Sequence, residues 1–248
     1  MTTTDNRHSP DTETPSKTMH AIVHKSFGPP QASLAYQVVD KPSISDDEVL
    51  VRVRSTGVAI GDWLTVMGLP YVARPQYGLL SPKHSIPGYE MAGIVETVGA
   101  GVTGLQPGDE VFGWGNATLA EYVAIPASQV TTRPSNLTLE QSAAVPISGL
   151  AALEALRDSG GLRPGQRVLI TGASGAVGTF AVQIAKALGA EVTGVVSTRN
   201  FEMVRSIGAD HVIDYTTAAI TDSGSRYDLI LDLAGNRSLG ELRRALTP

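Results

Sequence analysis

The chain has 248 residues, of which 42% are hydrophobic and 17% are charged, so it can bury a sizeable core and form two domains. Its net charge of -5, without a basic cluster, argues against a nucleic-acid partner or an anionic membrane surface. The absence of cysteine excludes disulfides, thiol catalysis and any cysteine-bound zinc or iron–sulfur site.

The N-terminal segment, residues 1–18, predicts a disordered tail because it is rich in Thr, Ser, Pro and Asp. It has no apolar core like that of a signal peptide. No later apolar run approaches the ~20 residues that a membrane span needs. We therefore expect a cytoplasmic protein that has no membrane partner.

Strands are predicted from Met19 to about residue 130. Short β-branched runs alternate there with Gly/Pro turns such as Gly28-Pro29-Pro30. The predicted strands are AIVHK, LAYQVV, EVLVRVRSTGV, GIVETVG, DEVFGW and LAEYVAI. This pattern predicts a compact β barrel or sandwich.

The pattern changes at Thr138, which forms a capping box with Gln141 at the start of a short helix. Helices and strands then alternate: helix GLAALEALRD, strand RVLITG, helix AVGTFAVQIAKALGA, strand EVTGVVS, helix NFEMVRSIGA capped by Asn200, strands HVIDY and YDLILDLAG, and helix SLGELRRAL. The strands are continuous apolar runs, as is typical of parallel strands covered on both faces. We therefore predict an α/β protein, with a β-rich domain at 19–145 and a doubly wound parallel sheet at 146–248.

The stretch LITGASGAVGTF, residues 169–180, carries three glycines between a predicted strand and a predicted helix. In a dinucleotide-binding G-x-G-x-x-G turn, the glycines let the chain turn, let the backbone approach the pyrophosphate, and let helix and strand pack closely. Here Ala173 takes the first position, where a small side chain is tolerated if its φ stays negative. Free N–H groups and the helix dipole then favour phosphate binding. The predicted phosphate site consists of Ala173, Ser174, Gly175, Ala176, Val177 and Gly178. The alternative is a glycine-rich packing turn that binds nothing.

The second strand of this domain is followed by Ser197, Thr198 and Arg199. An NAD site needs a carboxylate there, bonded to the ribose 2′-hydroxyl, and none is present. Two hydroxyls and a guanidinium suit a 2′-phosphate instead, so these residues predict NADPH, with NADH less favoured. The alternatives are a solvated arginine before a helix and a serine that caps its own loop.

Several blocks in the same order resemble the medium-chain dehydrogenase/reductases. They are EVLVRVRSTGVAIGDW, PGYEMAGIVETVGAGVTGLQPGDEVFG, LAEYVAIP, LTLEQSAAVPISGLAAL, and ASGAVGTFAVQIAKALGAEV with GADHVIDY. The resemblance runs from Met19 to Pro248 and implies a GroES-like catalytic domain followed by a Rossmann domain. We also place Tyr215, Ala234 and Gly235 in the expected cofactor site.

The zinc-containing members of that superfamily carry a cysteine in G-V-C-G-T-D and a histidine in G-H-E. The matching segments here contain Ala59 and Tyr89, so both ligands are absent and no zinc is expected. The chain therefore resembles the zinc-free quinone oxidoreductase or zeta-crystallin-like branch, in which NADPH gives hydride to a quinone or an activated alkene. Such a small-molecule acceptor is already electrophilic, so the protein must mainly position it and exclude water.

On the acceptor side, Asp62 matches the aspartate of the motif and Trp63 offers a flat apolar surface, so both are predicted in the acceptor cleft. Ala59 and Leu64 are predicted to line it, in positions where the zinc-free branch commonly has asparagine and tyrosine. Trp63 could equally be core packing. A long loop follows that could line the cleft or lie on the surface; its candidates are Tyr71, Arg74, Tyr77 and His84, with His84 as the candidate proton donor.

The C-terminal end departs from the family, whose dinucleotide domain continues beyond LRRALTP. A full doubly wound sheet has six strands, and about four are predicted here. We therefore expect an incomplete Rossmann domain and an incomplete edge for the homodimer that the resemblance implies. Three functions stay open: an NADPH-dependent quinone or enone reductase, a zinc-independent NAD(P)-dependent alcohol dehydrogenase, and a non-catalytic dinucleotide-binding protein.

Overall fold

The computed structural model describes residues 17–220 and 224–248, which divide into two units between Ala143 and Ala144. The boundary in the sequence analysis lies two residues later. Residues 1–16 of the predicted tail lie outside the described residues. Thr18, the last residue of that tail, is already the first residue of a strand, because its backbone pairs with Asp40.

The first unit is built mainly from antiparallel strands. They are β1 (Thr18–His24), β2 (Leu34–Asp40), β3 (Glu48–Gly57), β4 (Glu90–Val98), β5 (Glu110–Trp114), β6 (Tyr122–Pro126) and β7 (Val130–Thr132). β1 pairs with β2, and the other five form a sheet in the order β6-β3-β4-β5-β7. All six predicted strands are present. β7 was missed because three residues are too few to show a period.

Short helices connect these strands. They are α1 (Pro30–Ser33), α2 (Ile60–Met67), α3 (Arg74–Tyr77) and α4 (Leu139–Ala143). α4 follows the predicted capping box: the Thr138 N–H donates to Gln141 Oε1 at 2.9 Å, and the Gln141 N–H donates to Thr138 Oγ1 at 3.2 Å. No helix was predicted at α2, which begins three residues after the end of β3, at the β-branched Ile60.

The second unit is the predicted α/β domain. Its strands are β8 (Arg167–Thr171), β9 (Glu191–Val196), β10 (His211–Asp214) and β11 (Leu229–Asp232). Its helices are α5 (Pro146–Leu153), α6 (Ala176–Ala187), α7 (Phe201–Ser206) and α8 (Leu239–Ala245), and a π-helical turn at Glu154–Ser159 continues α5. The four strands are parallel, in the order β10-β9-β8-β11. This confirms the four-stranded parallel sheet.

The core of the second unit explains why the strands read as continuous apolar runs. Val168 and Ile170 belong to one buried cluster and Leu169 to another, so β8 is covered on both faces. In the first unit, residues 49–51 are all buried, so this part of β3 is also covered on both faces. No helix in the described ranges is long and apolar enough to cross a membrane.

Asn200 takes the predicted N-cap position of α7, but its side chain makes no capping hydrogen bond. A 3-10 turn at Thr198–Asn200 precedes the helix, and no side-chain hydrogen bond caps α7 within the described residues. The Asn200 amide instead donates to Ser174 and Ser197. The position was predicted correctly, but the side chain is bound to the neighbouring glycine turn, a contact that local sequence does not reveal.

Candidate functional site

The glycine turn between β8 and α6 has the geometry that a pyrophosphate needs. Gly172 turns the chain with a φ of +64°, and α6 begins after Gly175. The N–H groups of Ala176, Val177 and Gly178 precede the first intrahelical bond, which runs from the Thr179 N–H to the Gly175 oxygen at 2.9 Å. They therefore have no acceptor within the helix and are available to an anion.

Position 178 requires glycine because α6 packs closely against the turn after β8. A Cβ at this position would lie 2.2 Å from the Gly172 oxygen and 2.8 Å from the backbone of Ala173. Helix and strand could not approach this closely with any larger residue. Gly175 and Ala176 are exposed beside this contact, so the turn leaves its outer side open to a phosphate.

Ala173 replaces the first glycine of the pattern without strain. Among the described residues, Ala117 is the only non-glycine residue with a positive φ, so Ala173 keeps a conformation that any L residue adopts. Its side chain is fully buried. The neighbouring strand provides the space, because a Cβ on Gly194 would lie 3.1 Å from that of Ala173 and 2.7 Å from Val204 Cγ1. The turn has alanine in place of its first glycine, and Gly194 in β9 makes room for that side chain. This compensation was not recognised from the sequence.

The residues after β9 form the predicted 2′-phosphate region. Arg199 is exposed and makes no hydrogen bond or ion pair within residues 17–220 and 224–248. Thr198 behaves differently, since its hydroxyl donates to the Asp214 carboxylate. Tyr215 is 55% exposed, and its N–H bonds the Val196 oxygen at 3.1 Å. The structure therefore brings Arg199 and Tyr215 to the ends of adjacent strands.

Two side-chain contacts in this unit were missed. Asn200 Nδ2 donates to Ser174 Oγ at 3.1 Å and to Ser197 Oγ at 3.4 Å, so it joins the glycine turn to the loop after β9. Asp214 accepts hydrogen bonds from Thr198 and Thr216, and these bonds lower the pKa of its carboxyl group. The available signal in the sequence was a polar residue at the end of each predicted parallel strand. The carboxyl ends of parallel strands meet at one edge of a sheet, so such residues are brought close together.

The loop after β11 lies beside the same turn. The Thr171 hydroxyl donates to the Asp232 carboxylate, and the Ala234 N–H donates to Thr171 Oγ1 at 3.2 Å. The Gly235 N–H donates to Asp232 Oδ1 at 3.3 Å. These bonds tie Ala234 and Gly235 to the end of β8, next to Gly172. The structure therefore groups the predicted cofactor residues along one sheet edge.

Asp62 lies in the first turn of α2, in the other unit. Its Oδ2 accepts a hydrogen bond from the Ala59 N–H at 2.8 Å. Its Oδ1 is buried and has no hydrogen-bond partner among the residues that the structure describes. Burial raises the pKa of Asp62 above its usual value, although the bond from Ala59 opposes this effect. The visible role of Asp62 is thus to hold the start of α2.

Trp63 and Leu64 follow Asp62 on α2. Trp63 is 44% exposed and Leu64 is half-buried, so the indole of Trp63 is not simple core packing. Ala59 is the half-buried residue that precedes the helix. The predicted acceptor residues therefore form one short segment of the first unit.

The loop after α2 divides into anchoring and cavity-lining residues. Arg74 Nε donates to the Gly68 oxygen at 3.1 Å, and its guanidinium stacks on Phe27 and Tyr71, so it anchors the loop. Tyr77 and His84 line a cavity of about 190 Å³ within the first unit.

The same cavity is lined by Tyr89, Thr65 and His24. The Tyr89 hydroxyl donates to Thr65 Oγ1 at 3.1 Å, and burial raises the pKa of Tyr89. Burial lowers the pKa of His24, against backbone hydrogen bonds at Ser26 and Val66 that raise it. Burial of His24, which was not singled out from the sequence, thus favours its neutral form. In the described part of the chain, no three His, Asp or Glu side chains are grouped so that they could hold a metal ion.

Comparison with known proteins identifies both units. The family model "Alcohol dehydrogenase GroES-like domain" matches residues 45–135, and the model "Zinc-binding dehydrogenase" matches residues 176–248. The chain is 36% identical over 231 residues to the chloroplast envelope quinone oxidoreductase homolog of Arabidopsis thaliana, across 88% of this chain and 69% of that protein. It is 30% identical to the chloroplastic NADPH-dependent alkenal/one oxidoreductase of the same plant, across 88% of this chain and 58% of the relative.

Solved structures show the same likeness. The quinone oxidoreductase from Coxiella burnetii matches with a TM-score of 0.80 and 30% sequence identity, across 89% of this chain and 70% of that one. Each of these proteins is longer than the segment that this chain matches.

Proposed function

The chain belongs to the medium-chain dehydrogenase/reductase superfamily, in its quinone oxidoreductase branch, and we propose that it reduces quinones, enones or related carbonyl compounds with NADPH. The observation that carries this proposal is the glycine turn that opens α6 in a parallel sheet, with free N–H groups at Ala176, Val177 and Gly178. The printed names of the relatives, quinone oxidoreductase and alkenal/one oxidoreductase, support the class of acceptor.

NADPH is proposed over NADH because of the residues that follow β9. Ser197 supplies a hydroxyl, and Arg199 a guanidinium with no partner in the part of the chain that the structure describes, where an NAD site would need a carboxylate. A guanidinium binds a phosphate through charge-assisted hydrogen bonds. The exposed Tyr215 at the end of β10 adds a third polar group.

We further propose that the reaction uses no zinc. The positions that carry cysteine and histidine in zinc-containing members are Ala59 and Tyr89, and neither offers the thiolate or imidazole that a tetrahedral site needs. When bound, the dinucleotide would supply the hydride from C4 of its nicotinamide. The chain's own residues would hold its phosphates, and Trp63 would present an apolar surface that excludes water from the acceptor.

The experiment is to follow NADPH consumption with a panel of one quinone, one enone and one aldehyde, and NADP⁺ reduction with matching alcohols. We expect turnover of the quinone or the enone that a metal chelator does not change, and a lower KM for NADPH than for NADH. Alcohol oxidation without reductase activity would support the alcohol dehydrogenase alternative instead. Binding of NADPH without any turnover would point to the non-catalytic alternative. The homodimer and the cytoplasmic location stay predictions.

A further inference from the structure

We propose that Asn200 is a positioning residue for the cofactor, which holds the hydroxyls of Ser174 and Ser197 so that both donate their protons to phosphate oxygens. The inference rests on the proposed binding of NADPH and adds a residue to that site. It follows from the two hydrogen bonds of the Asn200 amide, which reach across from the loop after β9 to the glycine turn.

The geometry places both serines next to the expected phosphates. Ser174 lies within the turn, between Ala173 and the exposed Gly175, and Ser197 directly follows β9. Both serines and Asn200 are half-buried, so the three polar side chains are partly shielded from water but remain accessible to a ligand. A hydrogen bond to a charged group is stronger in such a setting than in bulk water.

A count of donors and acceptors determines which way the serine protons point. An amide nitrogen has two hydrogens, and Asn200 Nδ2 makes two bonds, one to each serine oxygen. A hydroxyl has one proton and two lone pairs. Since each oxygen receives a hydrogen from Asn200, its own proton must point away from the amide. Neither hydroxyl donates to another group in the described ranges, so both protons are left for a ligand acceptor.

Thr198 shows what happens without this arrangement. It lies between Ser197 and Arg199, yet its hydroxyl proton is donated to the Asp214 carboxylate and is not available to a phosphate. Of the hydroxyls of Ser174, Ser197 and Thr198, the two bonded to Asn200 are therefore the ones prepared to act as donors. The 2′-phosphate would then receive two charge-assisted hydrogen bonds from the serines, in addition to its attraction to the positive charge of Arg199.

The experiment is a double-mutant cycle on dinucleotide affinity in the whole chain. Wild type, Asn200→Ala, Ser174→Ala/Ser197→Ala and the triple variant are titrated calorimetrically with NADPH and NADH. Adenosine 2′,5′-bisphosphate and AMP serve as fragments that isolate the 2′-phosphate. Asn136→Ala, an exposed asparagine of the first unit, is the matched control, and thermal unfolding checks each variant for folding.

We expect Asn200→Ala to weaken NADPH binding about tenfold, with a smaller effect on NADH, because two oriented donors are lost. In the serine double variant the same substitution should cost less than about twofold. The isosteric Asn200→Asp has a carboxylate that can only accept hydrogen bonds, so it should also weaken NADPH binding. It serves as the second variant if Asn200→Ala does not fold.

Three results would overturn the inference. In the first, Asn200→Ala or Asn200→Asp binds NADPH as tightly as wild type. In the second, the loss from Asn200→Ala is equally large in the serine double variant, which would make Asn200 a merely structural residue. In the third, wild type binds neither dinucleotide, and the proposed function then fails together with the inference.

Discussion

The strand ends of the second unit differ from two buried side chains of the first unit in how their polar atoms are bonded. In the second unit, the hydroxyls and carboxylates at the strand ends are bonded to one another, as Thr171 is to Asp232 and Thr198 is to Asp214. In the first unit, Asp62 Oδ1 and His24 Nε2 are buried without a hydrogen-bond partner within the described residues. Buried polar groups that lack a partner cost stability.

This contrast also appears in the direction of the pKa shifts. Burial raises the pKa of Asp62 and lowers that of His24, so the first unit favours the neutral form of both groups. In the second unit, hydrogen bonds lower the pKa of Asp214 and favour its charged form. The predictions below test whether backbone geometry dominates in the second unit and desolvation in the first.

The largest effect is expected from Gly178→Ala. The added Cβ would lie 2.2 Å from the Gly172 oxygen, a backbone atom that cannot move without displacing the turn. We expect destabilisation by about 3 kcal/mol in chemical denaturation, together with loss of measurable NADPH binding. An alanine variant with wild-type stability and affinity would show that the close helix–strand contact is not needed.

A smaller effect is expected from Arg199→Ala. Removing an exposed guanidinium that has no partner among the described residues should leave the fold intact and weaken NADPH binding about tenfold, or about 1.4 kcal/mol, without affecting NADH. Arg205→Ala is the matched control, since that guanidinium stacks on Phe201 within α7. Equal losses for the two dinucleotides would contradict a 2′-phosphate contact.

Asp62→Asn should change how stability depends on pH. Because the folded chain raises the pKa of Asp62, it binds this proton more tightly than the unfolded chain does. The free energy of unfolding therefore falls as pH rises from the pKa of about 3.9 in the unfolded chain through the raised pKa in the folded chain. We expect wild type to lose on the order of 1 kcal/mol relative to Asp62→Asn over this window.

Urea denaturation at a series of pH values measures this difference. Asp40→Asn, an exposed acid of the same unit, is the control. Parallel pH curves for wild type and Asp62→Asn would mean that burial of this carboxyl group carries no cost.

The smallest effect is expected from Gly61→Ala in α2, the counterpart of the Gly178 substitution. A Cβ at Gly61 meets nothing within 4 Å, and its φ lies outside the left-handed region. Alanine should therefore stabilise the protein by about 0.5 kcal/mol through helix propensity. A destabilisation comparable to that of Gly178→Ala would show that α2 is packed more tightly than the structure indicates.

Much of the fold was predictable because its signals are local. Continuous apolar runs identified the four parallel strands, and Thr138 with Gln141 identified the start of α4. β7 and α2 were not predicted, because β7 is too short to show a period and α2 begins only three residues after β3 ends. The side-chain partners of Asn200 were not predicted. Ser197 is three residues away, but Ser174 is 26 residues away and is brought close only by the fold.

The sequence alone was sufficient for the order of elements, the glycine turn and the family, because each depends on residue types at short spacing. Only the tertiary structure showed that Gly194 makes room for Ala173, that Asp214 occupies the hydroxyl of Thr198, and that Asp62 is buried with one unpaired oxygen. These facts depend on atoms from separate strands or on burial. Contacts of this kind arise from tertiary packing, which no local sequence pattern encodes.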